Sequence, residues 1–341
     1  MKIAIHHRKG SFSDRWIAYC EKNNVNYKIV NCYANDIIRQ LQDCDALMWH
    51  FSHADYRDLN FARQLIYSIE LMGIKVFPNY NTCWHFDDKV GQKYLLESIG
   101  APLVPTYVFY NKEEALSWAK MTNYPKVFKL RGGAGSQNVL LVKSYQEAVK
   151  LINKAFGKGF KLVDQYAGFR QRLWVLKRDK NISTIIHLAK GIVRLIYPVA
   201  DMDLLPVQKG YVYFQDYIPD NNFDDRIVVV GNRAFSLRRF VRTNDFRASG
   251  SGLFDYNPDK FKPEIVKLSF DISKKLSTQS IAFDFIYGDF GKPLITEISY
   301  AYAMGPSYDN CPGYWDEHLN WHNEEVDPQR FMIEDLIKDI H

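Results

Sequence analysis

YPKVFKLRGGAGSQNV, residues Tyr124 to Val139, is the stretch from which the rest of the chain becomes readable. A short apolar run ends in Lys129, and a loop holding Gly132, Gly133, Gly135 and Ser136 leads into a second apolar run. Small residues let successive backbone N–H groups converge on an anion, and a lysine beside them adds a point charge. Two readings stand at this point: a loose hairpin, or a cradle for polyphosphate. The spacing is neither that of a P-loop nor that of a dinucleotide fingerprint. A polyphosphate cradle would need magnesium ligands elsewhere, and the chain holds candidates.

The 341 residues suffice for two or three domains, and a hydrophobic content of 47% marks a globular chain rather than a disordered one. The net charge of +5 comes without a long Lys/Arg run, which argues against nucleic acid and suits anionic small molecules. The 22 Tyr, 22 Phe and 7 Trp fit pockets that hold rings, sugars or nucleobases, and equally fit aromatic-rich cores. Cys20, Cys32, Cys44, Cys83 and Cys311 are odd in number and lack CxxC spacing, so neither a disulfide framework nor a zinc site is indicated. The N-terminus turns polar after five residues, unlike a signal peptide, and no apolar run approaches about 18 residues. A cytoplasmic protein without a membrane span is expected.

Working back from the glycine loop, residues 1–78 alternate short apolar strands (2–6, 26–30, 46–50, 74–77) with helices (to about Lys22 from a cap at Ser13 or Asp14, 35–42 and 59–72). That order predicts a parallel sheet whose ligands gather at the C-terminal strand ends, where Arg8, His50, Ser52 and His53 lie. A helix over 88–99 leads to Pro102 and Pro105, a domain boundary. Beyond the loop, a helix is expected over 145–156 and an inserted, strand-rich element over 162–205. A strand over 211–218 and a hairpin through Gly231-Asn232 follow. A helix opens at Pro263, and a second hairpin joins 281–287 to 293–298. After Ser299 the chain reads as irregular and aromatic until a helix near 331–340.

Asp284 and Glu297 sit in the two otherwise apolar strands of the last hairpin. A charge in such a strand has a partner, a metal or an edge facing solvent, and antiparallel pairing would bring the two carboxylates side by side. Arg238, Arg239, Arg242 and Arg247 form a row that reads either as a solvated basic face or as a set that stabilises a transferring phosphoryl group.

Taken in this order, Asp88 to Ser299 resembles the ATP-grasp superfamily, in the branch of ribosomal-protein glutamate ligases and glutathione synthetases. Asp88-Lys89 looks like the family's first ATP lysine and Lys129 like its second, with Arg131 to Val139 as the flexible phosphate loop. FQDYI (Phe214 to Ile218) resembles the hinge that meets adenine, placing Asp216, Tyr217 and Ile218 there. DDRIVVVGN, with Asp225 and Arg226, resembles the next strand. RRFVRTNDFRASGSG resembles the arginine segment, and Asp284 and Glu297 match two metal carboxylates. The third ligand is normally asparagine two residues after the glutamate; here it is Ser299, which puts a second metal in doubt.

The resemblance implies an α/β chain with a three-domain ATP-grasp architecture: a Rossmann-like domain (1–87), a central subdomain (88–210) and a C-terminal subdomain (211–341). It implies a carboxylate–amine ligase that uses ATP and Mg²⁺ and forms an amide through an acylphosphate. Lys89, Lys129, Gly132, Gly133, Gly135, Ser136 and Asp225 would meet the nucleotide. Asp284, Glu297 and Ser299 would meet the metal, and Arg239, Arg242 and Arg247 the reacting groups. Substrates are expected to be a small-molecule carboxylate and an amine, reached from Arg8, His50, Ser52, His53 and Tyr300. The tail after Ser299 resembles ATP-grasp proteins of surface-polysaccharide pathways, which makes a sugar carboxylate one expectation; the other reading of the tail is an aromatic clasp. A homodimer is expected. The rivals are a small-molecule kinase and a nucleotide-binding protein without catalysis.

Overall fold

The computed structural model describes residues 1–133, 138–162, 204–242, 245–248 and 250–340, with isolated positions 172, 173, 176, 186, 188, 189 and 192. The chain forms two compact units: Met1–Ser52 with Arg57–Val104 and Ile218–His341, and His53–Tyr56 with Pro105–Tyr217.

The first unit begins with the expected parallel sheet. Strands β1 (Ile3–His6), β2 (Tyr27–Val30), β3 (Ala46–Met48) and β4 (Lys75–Phe77) lie in the order β2-β1-β3-β4, linked by α1 (Phe12–Lys22), α2 (Ile37–Gln40) and α3 (Tyr56–Leu71). Strand β1 is buried throughout because both faces are covered. Ile3 and Ile5 pack with Phe12 and Trp16 of α1, and Ala4 packs with Leu41, Ala62 and Ile66.

The cap of α1 is Ser11, whose Oγ accepts the Ser13 N–H, not Ser13 or Asp14 as expected. Those two side chains turn back instead: Ser13 donates to the Arg8 carbonyl, and Asp14 takes the Gly10 N–H and faces His7. A single turn not expected from the sequence, α4 (Tyr80–Cys83), is capped by Asn79. Helix α5 (Lys89–Ser98) follows, with Asp88 capping it through the Gly91 N–H.

The second unit holds an antiparallel sheet ordered β5-β8-β6-β7: β5 (Thr106–Phe109), β6 (Lys126–Lys129), β7 (Val139–Val142) and β8 (Val212–Asp216). Helices α6 (Lys112–Met121) and α7 (Tyr145–Ala155) cover one face through Ala115, Ala119, Ala148 and Ile152 against Phe128 and Phe214. Lys129 and Gln215 come one residue later in their strands, so they face the other side. The element expected over 162–205 lies almost wholly outside the described residues. The isolated positions described there have helical backbone where strands were expected.

The first unit ends with a larger sheet. Strands β9 (Phe223–Val230), β10 (Arg233–Phe240) and β11 (Phe254–Asp255) precede α8 (Pro263–Leu276). Then come β12 (Ser280–Tyr287), β13 (Pro293–Ser299), a turn of helix α9 (Pro306–Asp309), β14 (Tyr314–Asp316), β15 (Trp321–His322) and α10 (Pro328–Ile340). The strand order is β13-β12-β9-β10-β14-β15, with β11 also on β10. One face presents Ile227, Val229, Phe283 and Phe285 to Ile265, Val266 and Ile272 of α8. The other presents Val228, Val230, Phe235 and Leu237 to a core that includes Phe331, Met332 and Leu336 of α10.

The tail is therefore not irregular, as its sequence suggests. Strand β14 pairs with β10 through Arg233↔Asp316 and Ala234↔Trp315, covering a backbone edge that would otherwise stay unpaired. No helix among the described residues is long and apolar enough to cross a membrane.

Candidate active site

Strand register builds the site. Asp284 of β12 stands directly opposite Glu297 of β13 and, on its other side, opposite Arg226 of β9. A bulge after Asp284 leaves Thr296 without a partner position, so the two carboxylates share a face. One strand further, Arg239 of β10 stands opposite Asp224.

The side chains close a network. Arg226 holds Asp284 through two hydrogen bonds, Nε to Oδ1 at 2.6 Å and Nη2 to Oδ2 at 2.7 Å. Arg239 holds Asp224 in the same way at 2.6 and 2.7 Å, and its Nη2 lies 2.8 Å from Asp284 Oδ2. The free end of Arg226 donates to the Tyr308 hydroxyl at 2.8 Å. Burial alone would raise the Asp284 pKa, but the two guanidiniums outweigh it and hold the carboxyl well below its usual range. Burial wins at Asp224, whose pKa is raised despite Arg239.

Helix α5 completes this face. Lys89 is buried, with its ammonium 3.0 Å from Glu297 Oε1. Burial pulls its pKa down, yet Glu297, Asp87 and Asp88 outweigh that effect and raise it. Gln92, one turn on, accepts the Ile298 N–H. The Ser299 hydroxyl donates to the Ala301 carbonyl at 2.6 Å. Among the described residues, no three Asp, Glu, His or Cys side chains are arranged to hold a metal ion on their own. The two facing carboxylates are hard oxygen donors of the kind magnesium takes, and further oxygens from a substrate would have to complete the shell.

The opposite face carries a closed set. Asp225 is fully buried, held by Arg238 at 2.7 and 2.9 Å, and takes the Tyr287 hydroxyl hydrogen. It faces α8, on the side of the sheet away from Asp284, because β9 alternates, and the acid on the Asp284 face is Asp224. A cavity of about 400 Å³ opens on this side, lined by Phe223, Arg238, Lys260, Lys262 and Tyr287.

Of the other arginines, Arg247 closes a pair with Asp245 at 2.7 Å, and Arg242 is buried with its carbonyl accepting the Asp245 N–H. The structure therefore brings Arg239 to Asp284, and ties Arg247 locally.

In the second unit, Lys129 is buried and donates to Gln215 Oε1 at 2.7 Å, while Gln215 donates to Thr106. Asp216 pairs with Lys126 at 2.6 Å. Gly132 is buried, and Gly133 has a φ of +107, which favours glycine. Gly135 and Ser136 lie outside the described residues. Tyr217 ends this unit; Ile218 opens the next segment of the first, where its carbonyl accepts from Asn221.

Among the expected substrate contacts, Arg8 donates to the His50 carbonyl at 3.2 Å, and His50 stacks on Phe12 with centroids 3.8 Å apart. The Ser52 N–H donates to Asp58. His53 belongs to the second unit. Tyr300 is corrected: it is fully buried against Phe51 and Phe86, its hydroxyl donating to the Phe51 carbonyl. Tyr302 and Tyr308 are buried as well, which is the clasp reading of the tail. Sequence reasoning did not single out Asp224, Gln92 or Gln215, which contact these groups, and named Arg226 only as part of the strand after the hinge.

No protein-family model matches the chain. A segment of 122 residues is 26% identical to the 2-oxoglutarate carboxylase small subunit of Hydrogenobacter thermophilus, and the match spans 33% of this chain and only 26% of that subunit's length. The biotin carboxylase domain of the Hydrogenobacter thermophilus 2-oxoglutarate carboxylase, solved as a dimer with MgADP and bicarbonate, superposes with a TM-score of 0.61 at 13% identity. That likeness covers 98% of this chain and 69% of the other. A RimK-domain ATP-grasp protein of Sphaerobacter thermophilus gives 0.58 at 13% identity over 99% and 100% of the two chains. D-alanine–D-alanine ligase of Bacillus anthracis, solved with ATP, gives 0.58 at 14% identity over 100% and 98%. These likenesses show the fold: the chain is built as ATP-grasp proteins are.

Proposed function

We propose that this chain is an ATP-dependent carboxylate–amine ligase. The observation that carries the reading is the facing pair Asp284 and Glu297, with Arg226, Arg239 and Lys89 in contact with them. ATP and Mg²⁺ are the cofactors of the ATP-grasp structures it resembles, and the donor set fits them. Asp284 and Glu297 would hold Mg²⁺, with the remaining lone pairs of Ser299 as a weaker third donor. Bound there, the ion neutralises charge on the phosphates.

Lys89 and Lys129 would bind the α- and β-phosphates, with Arg239 and Arg247 facing the γ-phosphate and the acyl oxygen. The substrate carboxylate oxygen attacks the γ-phosphorus and the bond to ADP breaks. The amine nitrogen then attacks the acyl carbon and phosphate leaves. The protein's part is positioning and charge neutralisation. The glycine loop after Lys129 would exclude water from the acylphosphate.

The narrower reading is a sugar carboxylate, such as a hexuronic acid of a surface-polysaccharide precursor, approached from Arg8 and His50. The buried tail tyrosines give it no support, so it rests on those strand-end groups. A homodimer belongs to the same reading.

The test is ADP release with Mg²⁺ and ATP across panels of sugar acids, amino acids and amines. Release that needs both a carboxylate and an amine is expected, and Lys129→Ala is expected to lower it by about 100-fold. Release with a single hydroxyl acceptor would make the protein a kinase, and undiminished release by Lys129→Ala would remove the nucleotide assignment.

A further inference from the structure

The Asp284 face carries a set of contacts that no single strand reveals. Three carboxylates (Asp224, Asp284, Glu297) are in direct contact with three cations (Arg226, Arg239, Lys89). Both oxygens of Asp284 accept charged donors, three in all, from a group with about four acceptor sites. Glu297 has one oxygen committed to Lys89.

Guanidinium does not give up its proton in proteins, so a cation reaching Asp284 has to displace it rather than neutralise it. A divalent ion arriving alone at Asp284 would leave the displaced guanidiniums without their buried acceptor, which is strongly unfavourable. A polyphosphate arriving with the ion removes that cost. Its oxygens complete the ion's shell, its charge offsets the ion, and it accepts the hydrogen bonds that the displaced arginines and lysine release.

We propose that Arg226, Arg239 and Lys89 are exchangeable counter-ions that bar a free divalent cation from Asp284 and Glu297, so that the cation enters only together with a polyphosphate. This rests on the nucleotide reading above for its second half; the barring of the free ion stands on the ion pairs alone.

The experiment uses Mn²⁺ as a paramagnetic probe, with the full chain and the non-hydrolysable β,γ-methylene analogue of ATP. Electron paramagnetic resonance of free Mn²⁺ is expected to show no stoichiometric binding to the nucleotide-free protein, and binding once the analogue is present. Lys89→Met, which frees Glu297, is expected to raise the Mn²⁺ affinity of the nucleotide-free protein by about tenfold or more. Arg239→Met, which frees one hydrogen bond at Asp284, is the second variant, and circular dichroism reports whether each is folded. Stoichiometric Mn²⁺ binding by the nucleotide-free wild type would overturn the proposal, as would folded variants that bind Mn²⁺ no better than wild type. Equilibrium dialysis of the analogue separates the two ideas. An analogue that fails to bind sinks the nucleotide reading, while the Lys89→Met comparison still decides whether the counter-ions bar the ion.

Discussion

Asp224 and Asp225 are neighbours in β9, and each holds one of two neighbouring arginines in β10, yet they belong to different chemistry. On the α8 side, Asp225, Arg238 and Tyr287 satisfy one another, and Asp225 is sealed from solvent. On the Asp284 side, Arg239 is divided between two acids, and Asp284 between two arginines. A closed pair supports the sheet. A shared one gives each charged group a second partner already within reach.

The largest test of that contrast is Asp225→Asn, which leaves Arg238 without its buried counter-charge. Urea unfolding is expected to show a loss of about 3–5 kcal/mol. A loss under about 1 kcal/mol, together with abolished ADP release, would mean that the two faces have been assigned the wrong way round.

A second test concerns His85, fully buried just ahead of α5, with neither ring nitrogen hydrogen-bonded among the described residues. Burial, with Arg63 adding to it, pushes its pKa down to about 4. A folded-state value below the unfolded one gives stability that is present above the unfolded pKa and lost as pH falls toward the folded value. Between about pH 6.5 and 4 the protein should therefore lose roughly 3 kcal/mol at this residue. His85→Phe should flatten that part of the curve, and an unchanged slope in urea titrations across this range would remove the assignment.

The smallest expected effect is that of Tyr308→Phe, which takes one hydrogen bond from Arg226 and should cost about 1–2 kcal/mol in thermal unfolding. A cost near zero would mean that the tail does not steady the Asp284 face.

These contrasts also mark what the sequence carries. The last hairpin was legible because two apolar runs flank a five-residue turn, but its register was not: a regular ladder would set Asp284 against Thr296, and the bulge brings Glu297 there instead. The alternating strands and helices of residues 1–78 led to the parallel sheet for the same kind of reason. The choice between Asp224 and Asp225 was not legible. Both faces of β9 are buried, so DDRIVVV shows no alternation to say which acid faces which way. The tail misled in a different manner. Its aromatics suit a ligand as well as a core, and what decides between them is an edge on β10, some 80 residues earlier in the chain. Ser11 lost out to Ser13 and Asp14 on paper because all three are good caps, and only the turn at Arg8 to Gly10 commits the latter two elsewhere.

Glu297, against Lys89, comes three positions before Tyr300, which is seated among Phe51 and Phe86 at the heart of the parallel-sheet core. At about 3.4 Å per residue that is a tether of roughly 10 Å with almost no slack. The ring works as an anchor bolt: the strand end carrying the carboxylate has one fixed point in one core and one in another.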